Sequence, residues 1–317
     1  MCIVFQQPAS FIEADRRILS ESFDVTTFEY HRKRNLPRLA RTILESDISY
    51  CWFALGHATA AVALSRWFRK RSVVVVGGWD VVALPEIPYG AMLSPTRRRK
   101  TSWTLRRADL VLAVSEANRQ DAARWVSRDI LTVPLGVDLE RFRPAGAKSQ
   151  EVITVASVSH AQAVAKKGVN VFLEAARRMP ETPFVLIGQI APDVGRRIRA
   201  DAPPNVTLTG WVDDDTLLRF YQRAAVYVQL SAHESFGLAM AEAMACQCTP
   251  VVSDRGALAE VVGTAGIVVP YGDSDAAAQA IREALRANGT RARQRVVDEY
   301  PLSRRRGRLL ALMEALR

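Results

Sequence analysis

Two glutamates eight positions apart, Glu234 and Glu242, bracket a small, apolar, helix-favouring run from Ser235 to Ala241. The spacing predicts a loop carrying the first acid, then a helix start, then the second acid about two turns along. The amides of Phe236, Gly237 and Leu238 would be unpaired donors at a helix N-terminus, which favours an anion such as a phosphate. Gly237 would let that anion approach the backbone closely. Phosphate donors and two carboxylates able to grip hydroxyls, on one local element, suit a sugar nucleotide. An amphipathic helix with two solvated acids fits the same spacing, so spacing alone leaves the two readings open.

Further candidates lie at the ends of apolar runs. Val73-Val74-Val75-Val76 reads as a strand buried on both faces and ends in Gly77-Gly78-Trp79-Asp80. Two glycines at the C-terminal end of such a strand mark a place where ligands sit in open α/β sheets; they equally suit a tight strand–helix turn. His57 follows Leu55-Gly56 and is either a cleft residue or a structural histidine. Asp213-Asp214-Asp215 reads as the cap of a helix rather than a metal signature, and no metal site is expected.

The elements that must position these residues alternate along the chain. Strands are expected at Cys2–Phe5, Val25–Phe28, Ile48–Phe53, Val73–Val76, Asp109–Ser115 and Ile130–Val133, with amphipathic helices between them. Residues 144–150 look like a linker, and the alternation then restarts at Val152. Strands follow at Phe184–Gly188, Val206–Gly210, Ala225–Leu230, Val251–Ser253 and Ala265–Val269. The stretch Ser157–Ala165 reads as an extended polar loop. The fold class expected is α/β, with two doubly wound domains and a site in the cleft between them. The domains would be residues 1–147, residues 148–295, and a C-terminal helix over 296–317 packing back towards the first.

Composition bounds the rest. The chain has 317 residues, is 49% hydrophobic and carries a net charge of +10. Residues 1–150 hold 23 Lys and Arg against 15 Asp and Glu, whereas residues 151–317 hold 20 against 18. The first half therefore carries most of the excess, in the clusters Arg32-Lys33-Arg34, Arg69-Lys70-Arg71 and Arg97-Arg98-Arg99-Lys100, the second beside Trp67 and Phe68. Such a face suits an anionic membrane surface, a phosphorylated acceptor or nucleic acid; ordinary solvated faces are the alternative. No apolar run reaches the length of a membrane span, and Met1–Phe5 reads as a buried strand rather than a leader. Four cysteines without paired metal-site spacing suggest a reducing, cytoplasmic setting. No Gly-x-Gly-x-x-Gly follows a strand, which argues against a dinucleotide oxidoreductase.

Taken in order, the motifs resemble the retaining GT-B enzymes of glycosyltransferase family 4. Those that carry the resemblance are Lys167-Gly168 opening a helix, the Gly188 turn, Glu234-x7-Glu242 with Ser-Phe-Gly-Leu after the first acid, Pro250-Val251-Val252 and Val269-Pro270-Tyr271-Gly272-Asp273. More loosely, Asp109–Ser115 and Pro134-Leu135-Gly136-Val137-Asp138 fit the first half. The resemblance implies a GT-B architecture and transfer of a sugar from a nucleoside diphosphate sugar to a hydroxyl of a glycan or lipid-linked acceptor, with retention and without cofactor or metal. Lys167, helped by Lys166, would meet the donor diphosphate. Glu234 would hold hydroxyls of the transferred sugar, and the amides of Phe236, Gly237 and Leu238 would support the diphosphate. Glu242 would bind the ribose, with Trp211 and Val212 beside the base. His57, Gly77, Gly78 and Asp80 are acceptor-side candidates. The sequence departs from the family in lacking an Arg before the Lys, and in having Gly77 where a His is common. A different GT-B activity, an epimerase or phosphorylase, or a non-catalytic sugar-nucleotide binder, is the alternative. Nucleic acid is not an expected partner; an anionic membrane surface, met peripherally through the basic first domain, is.

Overall fold

A computed structural model describes residues 1–31 and 35–317, so the basic cluster Arg32-Lys33-Arg34 lies outside the described residues. The chain forms two units, Met1–Leu135 with Ser303–Arg317, and Gly136–Leu302. The first unit holds strands β1 (Cys2–Phe5), β2 (Thr26–Glu29), β3 (Ile48–Trp52), β4 (Arg71–Val76), β5 (Leu110–Ala113) and β6 (Leu131–Thr132). They pair in parallel in the order β2-β1-β3-β4-β5-β6. The second holds β7 (Ser149–Val155), β8 (Phe184–Ile187), β9 (Val206–Gly210), β10 (Ala224–Gln229), β11 (Thr249–Ser253) and β12 (Ile267–Val269), parallel in the order β12-β11-β10-β7-β8-β9.

The central strands β3, β4, β10 and β11 are almost wholly buried, as in parallel sheets with helices on both faces, whereas the edge strand β2 is mostly exposed. Val73, Val74, Val75 and Val76 are all buried, and β-branched side chains suit such a pleated, enclosed surface. One core gathers Val74, Val111, Ala61 and Leu105 in the first unit; another gathers Val152, Phe172, Phe184 and Val226 in the second.

Strand order decides where ligands can sit. In the second sheet β7 and β10 are neighbours, and the chain leaves them towards opposite edges. The crevice beyond the C-terminal ends of such a pair is the ligand-binding place of an open α/β sheet. The equivalent reversal in the first sheet lies between β1 and β3.

The last helix, Leu302–Ala315, returns to the first unit through one buried ion pair. Arg305 donates to both oxygens of Asp15 at 2.7 Å and to the carbonyls of Val133 and Pro134. Tyr50 and the Trp52 indole also donate to Asp15. Each guanidinium nitrogen and both carboxylate oxygens have a hydrogen-bond partner, as a buried charge pair requires.

Two elements differ from the sequence reading. The stretch expected as an extended loop contains a short helix, Ala161–Lys166, whose first turn His160 caps through Nδ1 to the Ala163 amide. A ten-residue helix, Pro192–Asp201, joins β8 and β9; its proline at the start is the ordinary signal for such an element.

Candidate functional site

In the second unit, β10 delivers Ser231–Glu234 beyond its C-terminal end, and the chain after neighbouring β7 delivers Lys166 and Lys167. Lys167 is the C-cap of the short helix Ala161–Lys166, and Gly168 begins the next, Val169–Arg177. Gly168 is left-handed (φ 67°), and a Cβ there would lie 2.0 Å from the Leu230 carbonyl oxygen. Only glycine lets this turn press against the end of β10. The Ala232 amide donates to the Lys166 carbonyl at 2.8 Å, and Tyr271 donates its hydroxyl to the Ala165 carbonyl at 3.0 Å. From the side of β11, the Ala257 amide donates to the Glu234 carbonyl at 2.8 Å. Two lysines and a glutamate 67 residues apart are thereby fixed side by side.

Lys167 Nζ donates to Glu234 Oε1 at 2.7 Å, Gln229 Nε2 donates to the same oxygen at 3.1 Å, and Lys166 Nζ stands 3.9 Å away. Burial of the carboxyl would raise its pKa. The charges of Lys166 and Lys167 and the hydrogen bond from Lys167 overcome that and hold it well below the usual carboxylate range. The result is a carboxylate that stays ionised and oriented, with two ammonium groups beside it. Gln229 was not singled out from the sequence. Its signal was a lone amide in an otherwise apolar and aromatic strand.

The helix after the first acid spans Leu238–Ala245, and left-handed Gly237 is its N-cap. Its unpaired first-turn amides therefore begin at Leu238, two residues later than the spacing suggested. Phe236 belongs to the preceding turn, with its ring buried edge-on against Tyr300 at 5.3 Å. Glu242 follows in the second turn, closer to the helix start than expected. The Tyr221 hydroxyl lies 3.4 Å from its Oε2. Burial pushes the Glu242 carboxyl up to about 8, with the tyrosine opposing only part of the rise. The two acids are thus opposite in character: Glu234 is ionised, and Glu242 holds a proton near neutral pH. Tyr221 was in the expected helix but was not connected to Glu242, because its register falls on the acid only after the helices pack.

Gly188 follows β8 with φ 135°, and a Cβ there would meet the Ala156 carbonyl oxygen at 2.3 Å. The turn is thereby drawn against the chain leaving β7. Trp211 is 73% exposed at the end of β9, with Val212 beside it. The side chain of Asp213 accepts from the Thr216 amide at 2.7 Å, a helix cap as read from the sequence.

In the first unit Asp80 is fully buried and acts as a staple. Its Oδ1 accepts from the amides of Gly77 (3.1 Å) and Gly78 (2.9 Å), and its Oδ2 from the amide of Ala54 (2.7 Å). It ties the loop after β3 to the loop after β4. Burial raises its pKa to about 6 against the pull of those amides. His57 is also fully buried. Its Nε2 lies 2.7 Å from the Trp52 carbonyl oxygen, and burial lowers its pKa to about 4. With no exposed surface, His57 underlies the loop after β3, and its buried Nδ1 has no hydrogen-bond partner among the described residues. The open space beyond β1 to β4 is a cavity of about 470 Å³ lined by Gln6, Gln7, Tyr30, His31, Phe53, Leu55 and Trp79. Trp79 was adjacent to the residues singled out, and Phe53 was not read as a site residue. Its ring occupies the place a side chain at Gly77 would take, 2.1 Å from a Cβ built there. Among the described residues, no group of three or more His, Cys, Asp or Glu is arranged to hold a metal ion, and no helix is long and apolar enough to cross a membrane.

Comparison with known proteins gives matches over both halves. Residues 5–141 match the family model "Glycosyltransferase Family 4", and residues 150–287 match "Glycosyl transferases group 1". The chain is similar to the lipopolysaccharide core biosynthesis mannosyltransferase LpcC of Rhizobium leguminosarum bv. viciae, at 25% identity over 79% of this chain and 78% of that protein. It is 31% identical to the alpha-maltose-1-phosphate synthase of Mycobacterium tuberculosis over 61% of this chain and 56% of the relative, so the matched stretch spans about half of that protein. In fold it is similar to Anabaena HepE, solved with UDP and glucose, with a TM-score of 0.83, 16% identity and 99% of both chains covered. It is also similar to a sucrose-phosphate synthase from Thermosynechococcus elongatus, with a TM-score of 0.80, 18% identity, and 99% and 98% of the two chains covered.

Proposed function

This chain belongs to glycosyltransferase family 4, of the GT-B type, and from that premise we propose that it moves a sugar from a nucleoside diphosphate sugar to a hydroxyl, with retention at the anomeric carbon and without a metal. The observation that carries the proposal is the ionised Glu234 carboxylate held between Lys167, Lys166 and Gln229 beyond the neighbouring ends of β7 and β10. The fold neighbour solved with UDP and glucose supports a uridine nucleotide as the first donor to try.

Charge develops on the leaving diphosphate during transfer, so cationic and amide donors aimed there lower the barrier most. Lys167 and Lys166 are the side-chain cations at the site, and the first-turn amides of Leu238–Ala245 are its backbone donors. When a diphosphate enters, Lys167 turns from Glu234 towards it. The freed carboxylate then accepts hydroxyls of the transferred sugar. Glu242 accepts the ribose hydroxyls, and Trp211 and Val212 lie beside the base. Neither glutamate need act as nucleophile; their contribution is orientation. The acceptor hydroxyl belongs to a glycan or a lipid-linked saccharide, and within the first unit the Gly77–Asp80 loop and the cavity at the strand ends are the candidate place to hold it. The basic balance of that unit makes an anionic membrane surface its expected partner.

The test is a thermal-shift screen of UDP, GDP, ADP and their sugars, followed by donor-sugar hydrolysis and transfer with the wild type and Glu234→Ala. A ligand at 100 times its dissociation constant adds ~2.7 kcal/mol of stability. Glu234→Ala should abolish transfer while nucleotide binding persists. Near-normal turnover by that variant, or no stabilisation by any nucleotide, would sink the proposal.

A further inference from the structure

The most exposed large apolar side chain among the described residues is Trp67, at 82%. It ends the helix Gly56–Trp67 and is followed by Phe68, Arg69, Lys70 and Arg71, which lead into β4. In a parallel sheet with crossover helices, each helix runs back against its strands. The C-terminal ends of Leu36–Leu44, Gly56–Trp67 and Pro95–Arg107 therefore lie at the pole of the first unit where the strands begin. These three helices pack in sequence, the second against both others. They bring to one pole exposed Leu44 (53%), Trp67, Arg66, Arg106 and Arg107. Arg66, Phe68, Arg69, Lys70, Arg71 and Arg317 line a cavity of about 940 Å³ there. Two acids share that cavity. Asp47 lies 3.8 Å from Lys70, and Asp109 is held by Ser72 and lies 3.4 Å from Arg71. Among the described residues, Arg66, Arg69, Arg106 and Arg107 form no ion pair, so the pole keeps a positive excess.

Cations at helix C-termini offset the helix dipole, and that alone would account for several of these arginines. It does not account for an indole left almost wholly in water between Arg66 and Arg69. An amphipathic ring beside unpaired cations is the arrangement that meets the headgroup layer of an anionic bilayer. A duplex binding on charge alone would leave Trp67 and Leu44 without a role.

We propose that this pole, with Trp67 at its centre and Arg66 and Arg69 beside it, docks the protein on a phospholipid surface bearing phosphate headgroups of net negative charge. The inference deepens the membrane partner named above and rests on that reading for the partner alone. Its geometric consequence is specific. The cavity at the opposite strand ends is one strand length away, ~20 Å for the six residues of β4. An acceptor anchored in the same bilayer must therefore extend beyond the length of the sheet.

The test is sedimentation of the full chain with sucrose-loaded vesicles of phosphatidylcholine alone, or with one-third phosphatidylglycerol. The protein should partition at least tenfold better onto the anionic vesicles (~1 kcal/mol for each cation, roughly fivefold) and lose that preference in ~1 M salt, where screening falls to ~3 Å. Trp67→Ser should lower the partition several-fold, and Arg66→Ser with Arg69→Ser roughly twentyfold. Arg99→Ser with Lys100→Ser, in the first half of the helix Pro95–Arg107 and about 10 Å along its axis from Arg106 and Arg107, should change it less than twofold. No anionic preference, full retention by Trp67→Ser, or an equal loss in the Arg99 and Lys100 variant would overturn the proposal. Salt-dependent binding of random duplex DNA without vesicle binding would overturn it in favour of nucleic acid. UDP thermal shift on the same samples separates a docking failure, which leaves it unchanged, from failure of the donor-site reading.

Discussion

Glu242→Gln isolates one buried proton. Burial raises the Glu242 carboxyl to about 8 from an ordinary value of 4.5. Between those values the folded chain holds a proton that the unfolded chain releases, so this group makes stability fall as pH rises. The full slope is ~1.4 kcal/mol per pH unit, or ~2.7 kcal/mol from pH 5.5 to 7.5. The side chain is only partly enclosed, and solvent reduces the effect to about 1–2 kcal/mol. Glutamine keeps the shape and cannot titrate. The variant should therefore gain on the wild type by roughly 2–8 °C in melting temperature between pH 5.5 and pH 7.5, the groups common to both cancelling. Thermal unfolding at several pH values reads this directly. A difference between the two proteins that is flat across that range would refute the reasoning. If the ribose hydroxyls donate to the ionised carboxylate, UDP binding near pH 7 also releases a proton in the wild type and not in the variant. Calorimetry in buffers of unlike ionisation enthalpy detects that release.

Gly188→Ala places a methyl 2.3 Å from the Ala156 carbonyl oxygen at a left-handed φ, so it should cost at least about 2 kcal/mol in urea unfolding. It should also weaken nucleotide binding by shifting the chain that leads to Lys167; an unchanged midpoint would contradict the close approach. Arg305→Met leaves Asp15 buried without its cation and should cost about 3–5 kcal/mol in the same measurement. Adding Asp15→Asn should restore part of that loss, and a failure to do so would show that the arginine stabilises by packing alone.

The sequence by itself settled the elements and their order. Runs such as Val73–Val76 and Phe184–Ile187 have few conformations other than enclosed strands, and twelve strands were expected where twelve formed among the described residues. Two β-α-β halves, the Glu234-to-Glu242 stretch and the Lys167-Gly168 turn were equally legible, because each is a local pattern with a local cause. Where local rules ran short, the errors were local too. The helix Leu238–Ala245 starts late because Gly237 is left-handed, and Ala161–Lys166 hides in a polar stretch that His160 caps.

Only the tertiary structure decided what the two acids are. Near Glu234 in sequence there is no cation, only the Gln229 amide that donates to it; the charges that keep it ionised come from the chain after β7, brought alongside when β7 and β10 pair and Gly168 presses on Leu230. Nothing near Glu242 in sequence marks it as protonated; that follows from its enclosure near Tyr221. The full burial of His57 has the same origin, and the lining of the first unit's cavity had no linear pattern to betray it. A side chain's periodicity is written in its neighbours along the chain. Its charge state depends on burial and on partners across space, and those exist only once the sheets have formed.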